Sequence, residues 1–154
     1  MKKRVMAILT TMVLGAVLLA GCGGSKKEMN VDELSGRLLN EIKYQDTLSK
    51  MDLDTAGMFL NLSGFEITNA AIYESSGWTA EEIVVLQCAS DADADQAKAA
   101  LDARVAEQKT NFVDYVPEEM EKLNAAVVVK SGNTAVLSVS DEPDKAKEII
   151  GEYL

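Results

Sequence analysis

The sequence predicts an α+β fold: a two-layer sandwich with a four-stranded antiparallel sheet, both long helices on one face, and a further N-terminal helix. Three observations carry this. β-Branched apolar runs alternate with stretches whose apolar residues recur every three or four positions. Turn-forming clusters, Ser75-Ser76-Gly77 and Ser131-Gly132-Asn133, separate the strands in pairs. The two halves also resemble each other. Residues 69–80 align without gaps to residues 124–135 with seven of twelve positions identical, and Asp95-Gln96-Ala97-Lys98 matches Asp144-Lys145-Ala146-Lys147. Each half therefore reads strand–turn–strand–helix, a ββα unit used twice.

The elements follow in order. Asn30 and Glu33 form a capping-box pattern, and Val31, Leu34, Leu38 and Ile42 then recur at helical spacing, predicting a helix over 31–43 that Gly36 weakens slightly. The stretch 44–64 carries little pattern beyond a short helix at 54–60 capped by Asp54. Residues 66–74 and 83–88 read as the first two strands. Ser90 or Asp91 caps a long helix running to about Tyr115, with Ala94, Ala97, Leu101, Val105, Gln108 and Phe112 as its buried stripe and Pro117 as its stop. Residues 125–130 and 135–139 form a hairpin around Ser131-Gly132-Asn133. Asp141 or Glu142 with Pro143 opens the last helix, which buries Ala146, Ile149, Ile150 and Tyr153. About 125 residues from Asn30 to Leu154 make one core and one domain.

Residues 1–21 read as a signal peptide that is cleaved off. Lys2, Lys3 and Arg4 precede an apolar stretch over 5–18, and Leu19-Ala20-Gly21-Cys22 has the form of a lipobox. Small residues at Ala20 and Gly21 let the backbone enter the signal peptidase, and the Cys22 thiol receives the diacylglycerol. The apolar stretch is short for a membrane span. Residues 22–29 form a lipidated flexible tether, of which Gly23 to Asn30 spans at most about 26 Å. Membrane lipid, held through acyl chains such as palmitate on Cys22, is thus the first expected partner. Lys26 and Lys27 either assist at anionic headgroups or are solvated tether residues.

Composition excludes several chemistries. The chain is 47% apolar and 26% charged, as globular domains are. It has no His, which removes Ser-His and Cys-His pairs, imidazole bases and His metal ligands. Its net charge is −10, and losing the three basic signal-peptide residues makes the mature body more acidic still. No nucleic-acid partner is expected, because nothing would neutralise a run of phosphates. With Cys22 acylated, Cys88 has no disulfide partner and reads as a small buried hydrophobe on a strand. No cofactor is expected.

The remaining constellations have plain readings beside functional ones. Asp91, Asp93, Asp95 and Asp102 have EF-hand spacing, yet Gln96 stands where glycine is needed and Lys98 where an apolar residue belongs; a helix N-terminus explains them better. No metal site is expected. The pairs Glu81/Glu82, Glu118/Glu119 and Asp141/Glu142 read as solvated surface, and adjacent strand residues Glu81 and Glu82 point to opposite faces. Ser75 and Ser76 read as turn residues without a base, so no catalytic residue is assigned. Trp78 is either a binding anchor exposed at a loop tip or, the simpler reading, a ring packed over the sheet edge. Arg104 lies beside the apolar stripe of the long helix and needs a carboxylate, for which Glu82 is a candidate.

Tyr73-Glu74-Ser75, Ala80-Glu81-Glu82-Ile83, Arg104 with Gln108, Phe112, Tyr115-Val116-Pro117, Asn124 and Ala126 before the Gly132 hairpin, Val139-Ser140-Asp141 and Ala146 form an ordered set. In that set the chain resembles a family of small bacterial lipoproteins classed as a domain of unknown function, numbered four-three-five-eight. The resemblance implies a lipid-anchored α+β domain, on the outer face of the cytoplasmic membrane of a single-membrane cell, with no assigned activity. It also implies that Glu82, Arg104, Gln108 and Tyr115 are the polar positions to probe.

The function expected is therefore a non-enzymatic accessory or binding module docking on an envelope membrane protein or polymer. The alternatives are a carrier of a small ligand or cation and, third, an envelope enzyme working through carboxylates, Lys and Tyr.

Overall fold

Uninterrupted apolar runs such as Ile83-Val84-Val85-Leu86 have no solvent-facing side, so strands built from them need a layer on each face. The computed structural model describes residues 29–153 and meets that need with three layers. The signal peptide, the Leu19–Cys22 lipobox, Lys26 and Lys27 lie outside the described residues.

The chain runs α1 (Val31–Glu41), β1 (Ser49–Met51), α2 (Leu53–Ala56), β2 (Ile67–Glu74), β3 (Glu82–Cys88) and α3 (Asp91–Phe112). A 3-10 turn at Pro117–Glu119 leads into α4 (Met120–Asn124), and β4 (Val127–Ser131), β5 (Thr134–Val139) and α5 (Pro143–Gly151) follow. The strands form one antiparallel sheet in the order β1-β2-β3-β5-β4. Among the described residues no helix is long and apolar enough to cross a membrane.

One face of the sheet shows Ile72, Val84, Leu86, Cys88, Ala135, Leu137 and Val139, covered by Ala94, Ala97, Leu101 and Val105 of α3. The other shows Ala71, Ile83, Val85, Val127 and Val136, covered by Val31, Leu34 and Leu38 of α1 and by Ala146, Ile149 and Ile150 of α5. The expected two-layer sandwich is therefore corrected. The sheet has five strands, and its long helices α3 and α5 lie on opposite faces. The ββα repeat is not matched as a structural duplication either. β3 and β5 are antiparallel neighbours, so the rotation exchanging them is a two-fold normal to the sheet, which keeps both helices on one side. The hairpins differ as well: β4 and β5 are separated by two residues, β2 and β3 by seven.

The fifth strand lies in the stretch with little pattern. β1 is three residues long, mostly exposed, and pairs Lys50 with Tyr73. The short helix after it runs over Leu53–Ala56 with Asp52 as its cap, accepting from the Thr55 N–H at 2.8 Å, and not over 54–60 with Asp54. Elsewhere the end signals hold. Asn30 accepts from the Glu33 N–H at 2.9 Å, and Ser90 accepts from the Asp93 N–H at 3.1 Å, as N-caps do. Glu33 also accepts from the Tyr153 hydroxyl at 2.8 Å. Arg37 adds a second tie between α1 and the C-terminal end, bonding Glu41 at 2.6 Å and Glu152 at 2.7 Å.

Chain direction sets two ends. β3 starts at the end where β2 and β5 finish, and α3 returns there from the far end. α1 climbs to that same end, since the Gln45 N–H just beyond it bonds Glu81 at 2.9 Å. Asn30, where α1 begins, lies at the opposite end.

Candidate functional site: two buried ion clusters at one end of the sheet

β2 and β3 place Glu74 directly opposite Glu82. Two like charges facing each other across a sheet destabilise it unless a cation intervenes. α3 supplies one. Arg104 shares the sheet-facing stripe with Leu101, Val105 and Gln108, and its guanidinium meets both carboxylates. Nε lies 3.2 Å from Glu82 Oε2, and Nη2 lies 2.5 Å from Glu74 Oε1. The ring of Phe59 covers the guanidinium at 4.4 Å.

Glu82 is fully buried. Burial pushes its carboxyl up to about 8, Arg104 pulls against that rise, and the Glu74 charge adds to it. Burial raises Glu74 too, with Arg104 again opposing. Three buried oxygens here have no partner: Glu74 Oε2, Glu82 Oε1 and Gln108 Oε1. Gln108 lies beside Glu82. The Gln108 amide donates toward the Glu82 carboxylate and so works with Arg104 against the rise. One proton on Glu82 and one guanidinium balance two carboxyls.

Glu81 leaves the strand the other way. It accepts from the Gln45 N–H at 2.9 Å, the Asp46 N–H at 3.0 Å and the Thr79 hydroxyl at 3.1 Å. Lys122 of α4, 3% exposed in its side chain, bonds Glu81 and Glu119 at 3.1 Å each and lies 3.6 Å from Asp141. Burial works to lower the Lys122 ammonium; its bonds to Glu119 and Glu81 outweigh that and hold it above the ordinary value. Glu119 also accepts from the Ala80 N–H at 2.8 Å. This second cluster fastens four segments where the sheet ends.

The sequence-predicted positions divide accordingly. Glu82, Arg104 and Gln108 come together, and the Arg104–Glu82 pair is the one the helix stripe asked for. Tyr115 stands apart from them, 68% exposed beyond the end of α3. Trp78 is 72% exposed in the β2–β3 connection, so the expectation that it packs over the sheet edge is corrected. Reading Glu81, Glu82 and Glu119 as solvated surface is corrected as well, because each has a buried cation partner. Cys88 is buried on its strand, and burial pushes its thiol up. Phe59 and Lys122 escaped the sequence reading, and Glu74 entered it only within the Tyr73-Glu74-Ser75 run of the family resemblance, with no role assigned. Only the register of the β2–β3 hairpin points to Glu74, by setting it across from Glu82.

Among the described residues, no group of three or more Cys, Asp and Glu side chains is arranged to hold a metal ion. Asp91 and Asp95 of the EF-hand-like run contact Lys130 at 3.7 and 2.8 Å. No curated protein and no solved structure matches the chain. Over residues 40–140, which include every member of the two ion clusters but Asp141, the chain matches the family model described as Domain of unknown function (DUF4358), and it belongs to that family.

Proposed function

We propose that this protein is an exported lipoprotein, anchored through Cys22 to the outer face of the cytoplasmic membrane, and that it works as a non-enzymatic docking module for an envelope membrane protein. The observation that carries this reading is the exposure of Trp78 and Tyr115 at the end of the sheet remote from Asn30. Large aromatic side chains left in water are the usual anchors of interfaces. The 11 residues of α1 separate the two ends by about 16 Å, so a tether entering at Asn30 leaves this pair facing away from the membrane. The ion clusters brace the β2–β3 connection that carries Trp78.

The test is purification from crosslinked host membranes, with wild type beside an exported Cys22→Ala variant and a Trp78→Ala/Tyr115→Ala variant. A stoichiometric partner lost in both variants is expected. A protein that comes down alone in every sample overturns the reading.

One observation favours a second reading, a carrier of a small ligand or cation: the three unpartnered oxygens of Glu74, Glu82 and Gln108. Native mass spectrometry separates the two, because a carrier retains a bound species that Glu82→Gln loses. An enzyme using Glu82 as its acid has less support, since the carboxyl is fully buried.

A further inference from the structure

β4 is the outer strand on one side of the sheet, and its inner side is bonded to β5 with Ser131 opposite Thr134, Val129 opposite Val136 and Val127 opposite Ser138. A two-residue turn, with Gly132 at φ +51° in its first position, joins the two strands. In such a hairpin the residues flanking the turn exchange both backbone bonds, and every second pair repeats this. The N–H and C=O groups of Val128 and Lys130 therefore face outward. Among the described residues they have no hydrogen-bond partner.

Exposed edges are commonly blunted by proline, a bulge or a projecting lysine. β4 has no proline and no register shift. Its lysine is turned inward, with Lys130 Nζ 2.8 Å from Asp95 on α3. The opposite edge, β1, is only three residues long. Beside β4, on the α3 side, lies an open groove of about 350 Å³. Val105, Leu123, Ala126 and Val128 give it apolar walls, Ala106 sits at its helix side, and Asp102 and Lys109 stand on its rim.

We propose that this edge and groove bind an extended peptide segment of a partner protein, which adds to β4 as a sixth strand. Main-chain bonds to Val128 and Lys130 hold the segment, and every second side chain, small and apolar, enters the groove. The partner segment carries basic residues, because it approaches a chain of net charge −10. A second copy of this chain is disfavoured by the same charge. Asp102 is the contact for one basic residue: its present partner, Lys98, is an exposed i,i+4 neighbour that holds it weakly.

This deepens the docking-module reading and rests on it, and the two fail differently. If no partner co-purifies from membranes, the module reading falls. If a partner co-purifies but the edge takes no peptide, only the strand-addition proposal falls.

The test pans a library of random displayed heptapeptides against the purified full chain in mild detergent. The expected winners alternate apolar and polar residues and contain Lys or Arg. Synthesised, they slow amide exchange across residues 126–131. Two variants check the site. Val128→Pro removes an outward N–H and leaves the bonds to β5 in place. Ala106→Trp fills the groove from an exposed helix position and decides the matter should the proline variant not fold. Each weakens binding by about tenfold or more, a difference of about 1.4 kcal/mol. The proposal is overturned if no sequence family is enriched, or if binding survives both variants. Protection of 126–131 that grows with protein concentration in the absence of peptide overturns it too, since a second copy then occupies the edge.

Discussion

Glu82→Gln separates a proton-bearing Glu82 from an ionised one. The folded protein holds a proton on Glu82 up to about pH 8, whereas the unfolded chain releases it near 4.5. Between those values the folded state binds more protons, so stability is greatest at the acidic end and falls as pH rises. One proton gives a slope approaching about 1.4 kcal/mol per pH unit and an upper bound of about 5 kcal/mol over the whole window. Relaxation and water entry reduce this to an expected loss of roughly 2–3 kcal/mol, the usual cost of a buried polar group without a partner. Glutamine has the same shape as the protonated acid and cannot ionise. Urea unfolding at intervals from pH 5 to pH 9 measures the difference. The two proteins should match within about 0.5 kcal/mol at pH 5, and the variant should be the more stable by roughly 2 kcal/mol at pH 9. A variant destabilised equally at every pH would refute the reasoning, because Glu82 would then be an ionised partner of Arg104 throughout.

Arg104→Ala leaves Glu74 and Glu82 facing each other and should cost about 3–5 kcal/mol at pH 7 by urea unfolding; combining it with Glu82→Gln should recover part of that loss. Lys122→Ala strands Glu81 and Glu119 and should cost a similar amount, roughly 3–5 kcal/mol, with faster amide exchange at residues 44–46 and 79–82. Ser90→Ala removes the cap of α3 and should cost about 1 kcal/mol, seen as a lower unfolding midpoint with an unchanged denaturant slope.

Much of the fold was legible because its signals are local. The helix stripes Val31-Leu34-Leu38 and Ala94-Ala97-Leu101 and the caps Asn30 and Ser90 are all written within a few residues of one another. Layering is not local. The two-sided burial of β3 and β5 follows from apolar runs without alternation, but which helix takes which face depends on chain path. β1 left no trace because three exposed residues carry no period. At the site, Arg104 was legible as a cation out of place on an apolar stripe. Lys122 was not, because α4 is a single turn and five residues define no face. The glutamates were misread for the same reason: a carboxylate at a strand end looks solvated until its cation is found on another element.

The divergence of Glu81 and Glu82 has a consequence for how the chain finds its fold. Each glutamate is bound to its own buried cation, Lys122 on one side and Arg104 on the other. If β3 advances by one position, Glu81 moves to Arg104, Ala80 takes its place beside Lys122, and Glu82 is driven into the buried apolar position of Ile83. If it retreats by one, Glu82 moves to Lys122, Ile83 takes its place beside Arg104, and Glu81 is drawn into the buried position of Ala80. Either error strands a charge in the interior, at about 3–5 kcal/mol. A strand apolar on both faces carries no inside-outside pattern to correct such a slip. Two adjacent acids and two separated bases thus act as a lock with a single key position, supplying a strand of near-uniform hydrophobicity with the alignment its own side chains do not encode.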